Sequence, residues 1–184
     1  NAFLLAGAWG TLLPQITRDN LGAGIFETSI IFVVMGIGTL IASLILASIK
    51  ELKNAGGWLL ITSIAMSLLL IGLALSHSYP LTLVLVGITG INAGFFINLN
   101  LTLLQAYTPQ HLMGRIMSVY ALCFMGGVPL GALISGFGAE LTSPASMFII
   151  VSIIQLVVGI TAIITQPSMR RMSTLPADGD VADV

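Results

Sequence analysis

The side chains able to do chemistry deep in an apolar run of this chain are amides and hydroxyls. They are concentrated in one stretch, Leu81 to Leu104, which holds Thr89, Asn92, Asn98, Asn100 and Thr102, with Gln105 at its end. At helical periodicity, with Asn92 as zero, Thr89 falls at about 60° and Asn100 at about 80°. Gly87, Gly90 and Gly94 fall at about 220°, 160° and 200°. One face is polar and the opposite face is glycine. Glycine at such spacing lets a second helix approach closely in lipid. The Asn92 face then points at another helix or at a wet cavity. Asn92 is therefore either an interhelical packing residue or a ligand contact at mid-membrane depth. An amide facing lipid is the least favoured option, since an unpaired polar group in hydrocarbon costs several kcal/mol. Asn98, Thr102 and Gln105 lie nearer the glycine stripe and are expected to bond between helices.

Other chemistries lack their residues. No paired carboxylates, no HExxH and no metal-spaced His/Cys set occur, and His77 and His111 fall in loops on opposite sides. Glycines are plentiful, yet no phosphate-loop lysine follows them. No serine has a histidine or lysine at membrane depth to activate it. No catalytic residue, metal site or cofactor is expected. The lone Cys123 sits in an apolar run and reads as a small buried hydrophobe.

What must position these residues is a set of membrane helices. Of 184 residues, 57% are hydrophobic and 7% charged, with a mean hydropathy of +1.06, whereas a soluble domain carries about a quarter charged residues. The net charge of −1 and the lack of a basic patch argue against nucleic acid. Crossing the hydrocarbon core takes about 20 apolar residues. Six stretches qualify: 1–17, 28–49, 58–76, 81–104, 116–138 and 145–166. No Asp, Glu, Lys or Arg falls inside them, as the cost of a charge at the bilayer centre requires. Ten-residue alternation, the mark of a barrel strand, is absent. The chain thus reads as an all-α membrane protein, a six-transmembrane-helix bundle over 1–166, with a polar and disordered cytoplasmic tail over 167–184. Thr108-Pro109 and Ser143-Pro144 each set a capping hydroxyl before a helix-starting proline.

Lys50, Lys53, Arg115, Arg170 and Arg171 fall on one side of such a bundle and only Arg18 on the other. The positive-inside rule makes the first side cytoplasmic, together with both termini. The chain begins at Asn1 rather than Met, with no basic stretch before its first apolar run. This argues against a signal peptide and for a segment of a longer protein.

Span five contains Gly126-Gly127-Val128-Pro129. Proline removes a backbone hydrogen bond and kinks a helix, and the glycines admit a close neighbour. A flexed helix near the midplane is either tolerated or a feature of a transport site. Spans three and six are uniformly aliphatic and are expected to face lipid. Thr62, Ser63 and Ser67 can bond back to their own helix, and Gln155 is expected to turn inward and pack.

The run Asn98-Leu99-Asn100-Leu101-Thr102-Leu103-Leu104-Gln105, then Thr108-Pro109, then Met113-Gly114-Arg115-Ile116-Met117-Ser118-Val119-Tyr120 and Pro129-Leu130-Gly131, resembles helices ten and eleven of major facilitator superfamily transporters. It looks most like the branch holding the enterobactin exporter and related bacterial efflux permeases. Met113 stands where that branch usually has an arginine before Gly114 and Arg115. The loop Arg18-Asp19-Asn20-Leu21-Gly22 also resembles the one after the seventh helix there.

The resemblance implies that the six spans are half of a twelve-helix major facilitator fold in the cell inner (plasma) membrane. The partner would be an N-terminal six-helix half of the same protein. Spans one and four and parts of two and five would line a central cavity, with Asn92, Thr89, Asn100 and Gln15 as candidate contacts. Gly126, Gly127, Pro129, Gly90 and Gly94 would serve kinking and packing, and Gly114 and Arg115 a cytoplasmic loop motif. The implied activity is secondary active export of a small amphipathic molecule, drug- or siderophore-like, by alternating access. Proton coupling, also implied, needs a titratable group at depth, so the coupling group is expected in the other half. A self-contained six-helix channel or scaffold, or a membrane enzyme, are the readings it competes with.

Overall fold

A computed structural model of the chain describes residues 2–49 and 52–165, without the side chains of 2–6 and 20. Lys50, Arg170, Arg171 and the tail over 167–184 lie outside the described residues. Six long helices follow one another: α1 (Ala2–Leu21), α2 (Ile25–Ser48), α3 (Ala55–Ala74), α4 (Tyr79–Ala106), α5 (Met113–Leu141) and α6 (Pro144–Thr165), with a short 3-10 turn, Gln110–Leu112, before α5. Among the described residues there is no strand. The chain is an all-α membrane protein.

Five of the helical segments are long and apolar enough to cross a membrane. The exception is α1, whose second half carries Pro14, Gln15, Thr17, Arg18 and Asp19. It also runs further than the apolar pattern suggests. Arg18 to Leu21, read as a loop, form the last helical turn, because charged side chains can stay helical where a span meets the interface. Gly22, at φ 59°, ends the helix, with its N–H on the Arg18 carbonyl at 3.1 Å.

The proline punctuation works at one end and not the other. Ser143 caps α6, its Oγ accepting from the Ser146 N–H at 3.1 Å. Thr108 does not cap α5. Its hydroxyl donates back to the Leu104 carbonyl, closing α4, and α5 starts only at Met113. Pro14 and Pro129 both lie within continuous helices.

Helix α2 packs chiefly on α4, α1 on α5, and α3 on both α4 and α6, while α6 also touches α1 and α5. Exchanging α1 with α4, α2 with α5 and α3 with α6 leaves the main pairings unchanged. The chain is two three-helix units with the same internal logic. The sequence pattern gives no hint of it. One pairing breaks the exchange: α5 and α6 pack, whereas α2 and α3 scarcely meet.

The core is shared by all six helices. Trp9, Leu12, Leu13 and Ile16 of α1 meet Leu70 and Leu73 of α3, Val86 of α4, and Phe148 and Val151 of α6. The Trp9 and Phe148 ring centroids are 6.3 Å apart. Outside lies lipid rather than water, so this burial gains little transfer energy. Close packing and interhelical hydrogen bonds hold the bundle together.

The outward surface bears this out. Helices α2 and α5 present broad apolar faces, including Leu40 and Leu44 on the first and Leu122 and Met125 on the second. Cys123 shares the α5 face and is exposed, not buried. In contrast to expectation, α3 and α6 are among the better-buried helices. Each turns one face outward, with Ile61 and Leu68 on α3 and Ile153 and Val157 on α6. The opposite faces meet through Ser63, Ser67, Ser152, Gln155 and Gly159, all buried. Hydroxyls that bond their own carbonyls, as Ser67 does to Ser63 at 3.2 Å and Ser152 to Phe148 at 2.7 Å, act as small packing residues. That is how an aliphatic-looking helix hides a polar seam.

Candidate substrate-cavity residues

The glycine face of α4 is an interhelical seam. A Cβ built on Gly94 would stand 2.7 Å from the Ala42 Cβ and 2.8 Å from the Thr39 carbonyl oxygen of α2. One on Gly90 would run into the Met35 carbonyl, and one on Gly38 of α2 would lie 2.6 Å from the Gly87 oxygen. Two side chains lock this seam. Thr39 Oγ1 donates to the Gly90 carbonyl at 3.2 Å, and Asn98 Nδ2 donates to Ser43 Oγ at 3.0 Å.

On the polar face the residues part company. Asn92 Nδ2 donates to the Thr62 carbonyl of α3 at 2.9 Å. Thr89 is wholly buried, its hydroxyl on the Leu85 carbonyl at 2.7 Å. Asn100 is half-buried and Gln15, on α1, is exposed. Asn92 lines an open groove of about 650 Å³ between α3 and α4, and Thr89, Asn100 and Gln15 do not. The four candidates therefore share no single pocket within this bundle.

In α5, a Cβ on Gly126 would meet nothing within 4 Å, and Gly126 and Pro129 are exposed. Gly127 is half-buried. The close approach of α5 lies one turn on, where a Cβ on Gly7 of α1 would strike the backbone of Gly131 and Ala132. Gly114 and Arg115 are exposed in the first turn of α5, and a Cβ on Gly114 also meets open space.

Two features escaped the sequence reading. One is the uncovered strip of α1. Gly10 and Gln15 are exposed and Thr11 and Pro14 half-covered, whereas the uncovered faces of α2 and α5 are mostly large apolar side chains, interrupted by Gly36 on the first and by Cys123, Gly126 and Pro129 on the second. The patterning signal was there, in the low apolarity of the second half of α1. The other is a pair of buried polar atoms without partners, Trp9 Nε1 and Gln155 Oε1. Gln155 does turn inward, its Nε2 donating to Ser63 Oγ at 3.1 Å. Nothing in the sequence marks Trp9 as more than a core aromatic. Among the described residues, no group of three His, Cys, Asp or Glu could hold a metal ion.

The family model described as Major Facilitator Superfamily matches residues 1–179. The chain belongs to that superfamily. A curated relative, the multidrug efflux pump Tap of Mycolicibacterium fortuitum, is 25% identical over 146 residues, covering 79% of this chain and 36% of the relative. The chain thus spans little more than a third of that relative's length. No solved structure gives a significant match. Membership of that superfamily, with five helices long and apolar enough to cross a bilayer, makes this a multi-pass membrane protein.

Proposed function

We propose that the chain is a six-helix half of a major facilitator exporter in the plasma membrane, moving a small amphipathic molecule by alternating access. Its place in the enterobactin-exporter-like branch rests on the span-four to span-five motif. The superfamily match and the name of the efflux-pump relative support the activity class. The observation that carries the reading is the uncovered strip of α1. Gly10, Thr11, Pro14 and Gln15 are small or polar, and a polar strip is costly against lipid. It suits a wall of a water-filled passage between two halves. On this reading α1 is the sixth spanning helix despite its low apolarity, and both ends of the segment are cytoplasmic.

Gln15 and Asn100 are the side chains we assign to the substrate passage. Thr89 and Asn92 serve the packing of α4. Coupling to protons would use a carboxylate in the N-terminal six-helix half, since the carboxylates described here, Asp19, Glu27 and Glu140, lie near helix ends.

The test is accessibility. In the full-length protein, with Cys123 replaced by Ser, a Gln15→Cys variant should react with a membrane-impermeant maleimide in sealed vesicles. The rate should change several-fold when a lipophilic cationic dye is transported. A Val157→Cys variant on the outward face of α6 should stay unreactive. Gln15→Cys behaving like Val157→Cys would refute the passage.

A further inference from the structure

The one pairing that breaks the internal exchange leaves a groove. Helix α4 is packed by α2 on one side and by α3 on the other, yet α2 and α3 hardly touch. The space over α4 stays open, and its described lining is apolar except for Asn92 and Thr62. On α4 it runs from Leu85 to Leu99, with Asn92 midway. Among the described residues none of α1 lines it, so the groove is separate from the strip assigned to the passage. We propose that it is a second ligand site, which takes a neutral, lipophilic, drug-sized molecule carrying a hydroxyl or N–H donor to Asn92 Oδ1.

The amide is the selecting feature. The Thr62 carbonyl can only accept, so the nitrogen of Asn92 faces it, at 2.9 Å. Among the described residues that is the one hydrogen bond of the Asn92 side chain, and Oδ1 accepts none. Nor is Oδ1 enclosed, since the buried polar atoms without partners are Trp9 Nε1 and Gln155 Oε1. The helical backbone around it has its N–H groups engaged in its own ladder. A donor must therefore come through the groove that Asn92 lines. An acyl chain fills the space but carries no donor, and leaves a polar oxygen in hydrocarbon. A water molecule carries donors, yet buried waters settle where about three polar partners meet. Here its other polar neighbour is the Thr62 hydroxyl, already turned to the Leu59 carbonyl at 2.9 Å. The occupant that meets both demands is apolar over its body and brings its own donor.

Size and charge narrow it further. The groove holds about 650 Å³. Sites for drug-sized ligands run from roughly 300 to 1,000 Å³ and are mostly apolar with a few placed polar groups. No Asp, Glu, Lys, Arg or His is among the described lining residues, so an ionised ligand would lie there without a counter-ion. Trp58 of α3 and Phe95 of α4 supply ring surface, one on each wall.

The experiment uses the full-length protein with Trp58 as its sole tryptophan, in phosphatidylcholine vesicles at neutral pH. Trp58 lies one turn, about 6 Å, from Thr62 along α3, within reach of a heavy-atom quencher held at Asn92. The probes are a bromonaphthol and its methyl ether, which differ by one O–H donor. Quenching is followed against the membrane mole fraction of each. Half-maximal quenching should need several-fold less bromonaphthol than ether. Asn92→Leu should bring the two curves together. Ala65→Phe, which fills the groove, should reduce both to chance contact. If either variant is not monodisperse, Ile88→Phe fills the groove from the α4 side and should abolish the preference for bromonaphthol as well. Equal curves in the unmodified groove, which would mean partitioning alone, would overturn the proposal. A preference that survives Asn92→Leu, or quenching unaltered by filling, would do the same. So would recovery of Trp58 fluorescence on adding a lipophilic cationic dye, which would show a site for cations. Binding is read without transport, so the outcome is independent of whether α1 lines a passage.

Discussion

The seams α2·α4 and α1·α5 occupy equivalent places in the two three-helix units, and they are built differently. Both rest on glycine at the point of closest approach, Gly38, Gly90 and Gly94 in one and Gly7 against Gly131 in the other. Only the first is pinned. Thr39 and Asn98 cross it with hydrogen bonds, and among the described residues no hydrogen bond crosses α1·α5. Among the described side chains, sliding α1 along α5 disturbs packing alone, whereas sliding α2 along α4 also strands polar groups in lipid. Related architecture thus yields one seam tied by side-chain hydrogen bonds and one free of them among the described side chains. The free one involves α1, which carries the polar strip assigned to the passage.

The largest effects should come from the glycines themselves. Gly90→Val places a side chain on the Met35 carbonyl, and backbone must move to admit it. A loss of about 3 kcal/mol or more is expected, at the upper end for overpacking. Gly7→Val should cost a similar amount. Denaturant titration of the full-length protein in mixed micelles reads both. A Gly90→Val protein as stable as wild type would mean that the α2·α4 seam is looser than described. If Gly7→Val alone were tolerated, the free seam would be freer still.

The hydrogen bonds come next. Asn98→Leu removes the link to Ser43 and should destabilise by about 1 kcal/mol, within the range for bonds between membrane helices. Thr39→Val should cost less, about 0.5 kcal/mol, because Thr39 also bonds its own helix at Met35. The α1·α5 seam offers no counterpart to delete. A double-mutant cycle between Asn98 and Ser43 isolates the pairwise term. A coupling of zero would erase the distinction between the seams.

Much of this was legible in the residues. Apolar runs of about twenty, swept clear of charge, leave the bilayer little choice but helices. The glycine stripe of α4 could be placed from periodicity because it is a one-sided feature with no rival reading. Two things could not be read. The repeat of pairings is a matter of which helices meet, and residues on α1 and α4 need not look alike to pack alike. The burial of α3 was hidden because serine and threonine satisfy themselves on their own backbone. They then pass as neutral packing residues, and the polar seam to α6 leaves no periodic trace. Among the site residues, periodicity put Thr89, Asn92 and Asn100 on one face. It had no means of telling that Thr89 would be enclosed, or that Asn92 would answer to Thr62 thirty residues away. Gln15 was reachable only by resemblance, and its exposure is what gives the assignment a physical footing.

Gly126 gives the smallest and most discriminating change. It lies on the helix of the free seam but not in it, and a Cβ there meets open space. Within this bundle Gly126→Ala should be neutral, or stabilising by up to about 1 kcal/mol through helix propensity. Packing in the bundle described here gives no reason for a glycine at this position. If a second six-helix half closes over this face of α5, the added methyl meets it whenever the halves draw together. The full-length Gly126→Ala protein should then keep its unfolding midpoint and lose several-fold in dye efflux. Retained stability with retained efflux would show that nothing approaches Gly126 during the cycle. The free seam would then shift without bringing this part of α5 near its partner.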